Sequence, residues 1–174
     1  MSKIVIVDEN DEVIGSEDKE IAFQKGLIRR IVRIFVFNSK GELFLQRRSS
    51  NKDTYPNTWD QSAGGHVDEG ETYEEAARRE LKEELGVNTH TLERITKFYK
   101  EQEFKRMILK EFSTLFTTVF NGDIMPNKKE LSGGKWFDLK RVEKMLKENP
   151  KEFPPGFIEA FNRYLIMKKR LSSN

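Results

Sequence analysis

The chain has no cysteine among its 174 residues. This absence excludes disulfide bonds, thiolate metal sites and any mechanism that depends on a cysteine nucleophile. A chain without cysteine is compatible with a reducing compartment, so we expect a cytoplasmic protein.

Long hydrophobic runs are also missing. The N-terminus has a run of only four apolar residues, 4–7, before acidic residues follow. A signal peptide needs a longer apolar segment, and a membrane-spanning helix needs about 20 apolar residues. We therefore expect no membrane segment and no membrane partner.

Charge of one sign is not in excess either. The chain has 31 basic and 29 acidic residues and a formal net charge of +2. A chain so close to neutrality gives no electrostatic reason to expect nucleic-acid binding. Its length suits one domain over residues 1–174, with a hairpin or extension at 1–28 and a core at 29–171. Whether the protein forms a homodimer stays open.

What the chain does have is a succession of β-prone and amphipathic segments, which indicates a mixed α/β fold. The predicted strands are 3–7, 12–15, 29–38, 42–48, 59–63, 91–103, 107–120 and 135–137. The predicted helices are 72–85, 139–148 and 155–171, with one or two further turns in 17–25. Thr72 and Glu75 have the spacing of a capping box, and Gly86 follows as a helix stop.

The first long helix carries a cluster of acidic residues. Glu80, Glu83 and Glu84 stand at i, i+3 and i+4, so they share one face, at the open edge of an apolar stripe. The stripe consists of Ala77, Leu81 and Leu85. Carboxylate oxygens on one rigid face are suited to Mg²⁺ or Mn²⁺. The alternative is an ordinary solvated helix face on which Arg79 pairs with Glu75 or Glu83.

The spacing around this helix is more specific than the carboxylates alone. Gly65 is followed after five residues by Glu71, and after seven more by the run from Arg79 to Val87, RELKEELGV. This pattern resembles the Nudix box at every defining position. The resemblance implies the Nudix fold, a mixed β-sheet sandwiched between helices. It also implies hydrolysis of a nucleoside diphosphate linked to another group, X.

The resemblance assigns roles to the residues of the box. Glu80, Glu83 and Glu84 are expected to hold Mg²⁺, with Mn²⁺ as a substitute, together with the backbone carbonyl of Gly65. Glu83, or a glutamate elsewhere, is expected to take the proton from the attacking water. Arg79 is expected to orient the carboxylates rather than to contact the substrate.

Residues outside the acidic cluster receive roles as well. Glu71 and Gly86 are expected to be structural, since Glu71 would tie the loop to the helix. Glu111 is the candidate for a downstream metal ligand, with a solvent-facing strand position as the alternative, and Glu130 is a weaker second candidate. The residues expected to bind a small-molecule diphosphate are Arg29, Arg47 and Lys52.

Some side chains near the box are given no ligand role. His66 is expected to be a loop histidine without a ligand. Three aromatic side chains are in place to stack a base, although single aromatics on such segments more often pack in the core. They are Tyr55, Trp59 and Phe98.

The N-terminal half is also similar to isopentenyl-diphosphate isomerases, a branch of the Nudix superfamily. The matching stretches are VDENDEVIG, GLIRRIVRIFVFNSKGELFLQRRSSNKDTYPNTW and GGHV. Gly64 stands where that enzyme has its catalytic cysteine, and its two upstream metal-binding histidines fall near Ala22 and Arg29. Since the box is complete and the thiol is absent, the sequence favours an isomerase-like branch of hydrolases. An active isomerase and an inactive diphosphate-binding module remain as alternatives.

Overall fold

Within residues 2–174, which the computed structural model describes, nine β-strands form one mixed sheet. The strands are β1 (Ile4–Val7), β2 (Val13–Glu17), β3 (Ile28–Phe37), β4 (Leu43–Arg48), β5 (Trp59–Asp60), β6 (Ala63–His66), β7 (Glu93–Phe104), β8 (Met107–Val119) and β9 (Leu131–Phe137). The helices are α1 (Lys19–Gln24), α2 (Tyr73–Leu85), α3 (Leu139–Glu148) and α4 (Pro155–Ser172), with a 3₁₀ turn at Pro150–Glu152.

Strand β3 is the centre of the sheet. It pairs antiparallel with β1, β4 and β6, and it pairs parallel with β8 along its whole length. Every side chain from Ile31 to Phe37 is buried. A strand covered on both faces has a nearly continuous apolar sequence, as the predicted strand 29–38 does.

Alternate side chains of β3 fill two separate cores. Val32 and Ile34 pack in the core that contains Leu81 of α2. Phe35 points to the other face and packs with Phe157 of α4. The sheet is therefore sandwiched between helices, and the predicted fold class is confirmed.

The limits of α2 are set by local chemistry. Thr72 precedes the helix, and its side chain accepts a hydrogen bond from the Glu75 backbone while Glu75 bonds back to the Thr72 backbone. Gly86 ends the helix at φ 65°, a left-handed conformation that favours glycine. The predicted capping box and helix stop are both confirmed.

Two strands differ from the sequence prediction. The strand predicted at 59–63 is divided into β5 and β6, and β6 extends over Gly64 and Gly65 because it pairs with β3 at Arg33 and Val32. Strand β9 begins at Leu131, four residues before the strand predicted at 135–137. Glycines have low intrinsic preference for strands, and pairing with a neighbouring strand overrides that preference in both places.

The N-terminal hairpin is continuous with the same sheet and with α2. Asp11 lies in the turn of this hairpin. Its carboxylate accepts hydrogen bonds from Arg30 at 2.7 Å, Lys97 at 2.7 Å and Tyr73 at 3.1 Å. Burial raises the pKa of Asp11, but the bonds from Lys97 and Arg30 outweigh it, so the pKa lies below its usual range. Because Tyr73 is the first residue of α2, this cluster fixes the start of the helix.

Among the described residues, no helix combines the length and the apolar content that crossing a membrane would need.

Candidate active site

Gly65 allows β6 and α2 to meet closely. A Cβ atom at position 65 would collide with the carboxylate of Glu80, so glycine permits this approach without moving that side chain. Glu80 is only 9% exposed. Burial raises the pKa of Glu80 to about 7, although the neighbouring Arg79 acts in the opposite direction.

Glu84 lies deeper, against the sheet. It is 7% exposed, and its carboxylate accepts a hydrogen bond of 2.7 Å from the side-chain amide of Gln46 on β4. Burial, followed by the charge of Glu80, raises the pKa of Glu84 to about 8. In the absence of a cation, both buried carboxyl groups therefore hold protons more readily than an ordinary glutamate.

Glu83 lies at the mouth of the site. Its side chain is 57% exposed, and its carboxylate accepts a bond of 3.3 Å from Arg79. The expectation that all three carboxylates share one open edge is therefore wrong for Glu80 and Glu84. The difference arises because β6 and β4 cover these two, which the spacing along a helix cannot reveal.

Arg79 connects the acidic groups to the loop before α2. It donates to the two oxygens of Glu71 at 2.7 and 2.9 Å, to Glu80 at 2.8 Å and to the His66 carbonyl at 2.9 Å. These bonds, above all those with Glu71, raise the pKa of Arg79. Glu71 also accepts a bond from the backbone of Asp68. The contacts support the orienting role expected for Arg79 and the structural role expected for Glu71.

The residues present fit a hard divalent cation. Four carboxylates lie within 3.8 Å of the single Arg79 guanidinium, so negative charge is in excess. Within residues 2–174, no three acidic or histidine side chains already converge on one point; Arg79 donates to Glu80 and Gln46 donates to Glu84 instead. Carboxylate oxygens with excess negative charge are nevertheless the type of donor that Mg²⁺ prefers.

Glu111 is not part of this acidic group. It is 7% exposed, so the solvent-facing alternative is wrong. Its carboxylate accepts bonds from Arg33 at 2.6 Å and Ser113 at 3.1 Å, and it lies 3.7 Å from Arg29. Burial raises the pKa of Glu111, but the two guanidinium charges outweigh it and lower the pKa. In this structure Glu111 neutralises two arginines, and its role as a metal ligand stays a prediction.

The three residues expected to bind substrate do not converge. Arg29 is buried on β3, whereas Arg47 stacks on Trp59 at 4.9 Å and faces Glu152 at 3.5 Å. Lys52 forms an ion pair with Glu130. Its charge lowers the pKa of Glu84 against the effect of burial. Lys52 therefore acts on the acidic site, while Arg47 lies on the side of the sheet that faces α3.

The ion pair with Lys52 also accounts for Glu130, the weaker candidate for a metal ligand, whose carboxylate is already engaged. Phe98 is 4% exposed and packs in the α4 core, so its expected packing role is confirmed. Tyr55 packs against Phe104 with ring centroids 4.7 Å apart.

His66 and Gln46 have roles that sequence reasoning missed. His66 Nε2 lies 2.9 Å from Arg29 Nη1, and burial together with the charge of Arg29 lowers the pKa of His66 well below its usual range. The imidazole is therefore neutral and accepts this bond. Successive side chains of a strand face opposite sides of the sheet. This alternation could have shown which side of the sheet His66 and Gln46 each face.

Comparison with known proteins places these features in a family. The model of the NUDIX domain matches residues 27–158. An uncharacterised Nudix hydrolase of Pseudomonas aeruginosa is 34% identical over 163 residues, which cover 93% of this chain and 92% of that protein. Isopentenyl-diphosphate Delta-isomerase 1 of Aromatoleum aromaticum is 34% identical over 148 residues, covering 85% and 84%.

A crystal structure from Deinococcus radiodurans has the same fold, with a TM-score of 0.70 and 30% sequence identity. The alignment covers 84% of this chain and 90% of that one. The names of the relatives divide between hydrolase and isomerase, so the geometry of the site has to decide between them.

Proposed function

The chain belongs to the NUDIX domain family, and on this basis we propose that it hydrolyses the diphosphate linkage of a nucleoside diphosphate joined to another group, X. The observation that carries the proposal is the arrangement of Glu80, Glu83 and Glu84 beside Gly65, with one exposed carboxylate next to two buried ones. Mg²⁺ is the proposed cofactor, and Mn²⁺ is a substitute.

The side chains divide the work. Glu80 and Glu84 would hold the metal with the Gly65 carbonyl, while Arg79 keeps the Glu80 and Glu83 carboxylates in position. Bound Mg²⁺ would neutralise phosphate charge and lower the pKa of a coordinated water. Glu83 is the proposed proton acceptor, because it is the only one of the three carboxylates with free access to solvent.

An isomerase activity is disfavoured by the space around Gly64. A Cβ atom at position 64 would lie 2.6 Å from the side-chain nitrogen of Gln61 and 2.7 Å from the Val32 carbonyl. A cysteine side chain therefore has no room there, and the chain contains none. Arg29, near the place of an isomerase metal ligand, is a cation and not a ligand.

An inactive binding module is the remaining alternative. Its expected signature is the loss of carboxylates from the box, and none is lost. A small-molecule diphosphate as partner, a cytoplasmic location and a homodimer all stay predictions.

The test is a panel of nucleoside diphosphates joined to sugars, alcohols, nucleotides and isoprenoids. The purified protein is incubated with Mg²⁺, with Mn²⁺ and with excess chelator, and monophosphate products are measured. We expect release from some members, loss with chelator and recovery when metal is restored. Isopentenyl diphosphate is followed in parallel by proton NMR. Formation of dimethylallyl diphosphate without hydrolysis anywhere in the panel would overturn the proposal.

A further inference from the structure

A second polar cluster lies on the other face of β6. Gly65 faces α2, so the side chain of the next residue, His66, points to the opposite side of the sheet. There it contacts Arg29, which is paired in register with Glu111 on β8. Arg33 donates to Glu111 from the same side. We call Arg29, Arg33, His66 and Glu111 the β6 rear cluster.

The rear cluster carries an uncompensated positive charge. Two guanidinium groups face the single carboxylate of Glu111. Arg29 can only donate, so His66 Nε2 accepts the bond between them and carries no proton, and the imidazole neither adds to nor offsets the charge. Arg33 is satisfied by Glu111, Gln61 and Ser113. The excess charge therefore rests on Arg29.

Arg29 has a buried donor without a hydrogen-bond partner. The residue is 2% exposed, and its Nη2 atom makes no hydrogen bond within the described part of the chain. The carboxylate of Glu111 is 3.7 Å from Nη2, which is too long for a hydrogen bond. Buried polar groups are almost always satisfied, so an orphaned cationic donor indicates a ligand atom that accepts from it.

Aromatic side chains enclose the Arg29 guanidinium, and its Nη2 atom is shielded from solvent. The ring of Phe23, on α1, covers the Arg29 guanidinium at 4.4 Å and meets the His66 ring edge-on at 5.9 Å. Gly64, Gly65 and His66 are only partly buried, so this part of β6, which contacts Glu80 on one side and Arg29 on the other, is open to solvent. Phe23 precedes residue 27, where the family match begins.

We propose that Arg29 binds a further phosphoryl group of the substrate, separate from the diphosphate held at the α2 carboxylates. The substrate class is then a diphosphate-linked compound that carries one additional phosphate. This inference rests on the proposed function for its substrate, but the anion site itself needs no catalysis. A phosphoryl oxygen accepts a charge-assisted bond from Nη2 and supplies the missing negative charge.

The direct test is ¹⁵N NMR of arginine side chains in metal-free protein titrated with inorganic phosphate. We expect a saturable shift of the Arg29 side-chain resonance and no shift for Arg30, which points to the opposite face and is bound to Asp11. The Arg29 signal is assigned by its absence in Arg29→Lys, or by through-bond correlation to the backbone if that variant does not fold. An unmoved Arg29 resonance, or an equal shift at Arg30, overturns the proposal.

A second test compares diphosphates that differ by one phosphate. Binding of coenzyme A and 3′-dephospho-coenzyme A, and of NADP⁺ and NAD⁺, is measured by calorimetry without metal. We expect one pair to favour the phosphorylated member by roughly 10- to 100-fold, because a hydrogen bond to a charged group is involved. Arg29→Met should abolish the preference without weakening the unphosphorylated member, and Arg141→Met, on exposed α3, should keep it.

Equal affinity within both pairs, or no binding of any of the four compounds, overturns the substrate class. These measurements do not need turnover. A protein that binds the phosphorylated member preferentially but hydrolyses nothing would refute the proposed function and leave the anion site standing.

Discussion

The two faces of β6 differ in the sign of the charge that is in excess there. On the α2 face, buried carboxylates surround one arginine, and burial raises the pKa of Glu80 to about 7 and that of Glu84 to about 8. On the rear face, two arginines share Glu111, and a donor of Arg29 has no hydrogen-bond partner among residues 2–174. The first face needs a cation and the second an anion. A ligand that spans both would have a metal-bound diphosphate at one end and a phosphate at the other.

The largest effect should come from the exposed carboxylate of the acidic face. Glu83→Gln should lower kcat by about 10²–10⁴-fold if Glu83 accepts the proton of the attacking water. The free energy of unfolding of this variant should barely change, since the Glu83 side chain is 57% exposed. Steady-state kinetics and urea unfolding measure the two quantities. Glu74→Gln, on the exposed first turn of α2, is the matched control. Near wild-type turnover in Glu83→Gln would remove Glu83 from the catalytic residues.

A substitution on the rear face should lower the stability of the fold instead. Glu111→Gln removes the shared counter-ion of Arg29 and Arg33, so we expect the free energy of unfolding to fall by about 3–5 kcal/mol. Urea titration measures it, and Glu101→Gln on exposed β7 is the control. If the variant were as stable as wild type and lost only metal affinity, Glu111 would be a metal ligand after all.

A third cluster sharpens the contrast, because it also has two cations and one carboxylate, but within residues 2–174 none of its buried side-chain atoms lacks a hydrogen-bond partner. Asp11→Asn leaves Arg30 and Lys97 without their carboxylate, and we expect a loss of about 2–3 kcal/mol at pH 7. Because the folded-state pKa of Asp11 is lowered, its contribution is present above its ordinary pKa of about 4 and disappears as pH falls through the folded value. The difference in unfolding free energy between wild type and Asp11→Asn should therefore shrink on acidification below about pH 4. A difference independent of pH would show that Asp11 acts through shape alone.

The smallest expected effect tests the contact between β6 and α2. Gly65→Ala places a Cβ against the Glu80 carboxylate, so we expect a destabilisation of about 1–3 kcal/mol and weaker Mg²⁺ binding. Gly15→Ala is the control, because a Cβ there meets nothing within 4 Å. Thermal unfolding with and without Mg²⁺ measures both. Equal behaviour of the two variants would mean that the close approach at Gly65 is unimportant.

Much of the arrangement on the α2 face could be predicted from the sequence, because it depends on spacing within one helix. The capping box at Thr72 and the stop at Gly86 are local signals, and both were confirmed. The burial of Glu80 and Glu84 could not be predicted from the sequence. It depends on Gly65 and Gln46, which other strands bring to the helix.

The rear face shows the same limit more strongly. Arg29, Arg30 and Arg33 lie in one apolar strand, and sequence alone does not reveal which of them share a face with an acidic partner. That partner, Glu111, comes from β8 through a parallel pairing whose register no local signal encodes. Sequence reasoning therefore identified Glu111 as a functional candidate but could not predict its contacts with Arg29 and Arg33.

The parallel pairing of β3 with β8 also has a consequence during synthesis. Strand β3 emerges from the ribosome early, and the neighbour that covers Ile34 and Val36 along one edge emerges only after α2 and β7. Until then a long apolar edge stays unpaired, which is the situation that favours association between nascent chains. We expect slow folding, as for other topologies built on distant pairings, and a need for chaperones that grows with the rate of expression.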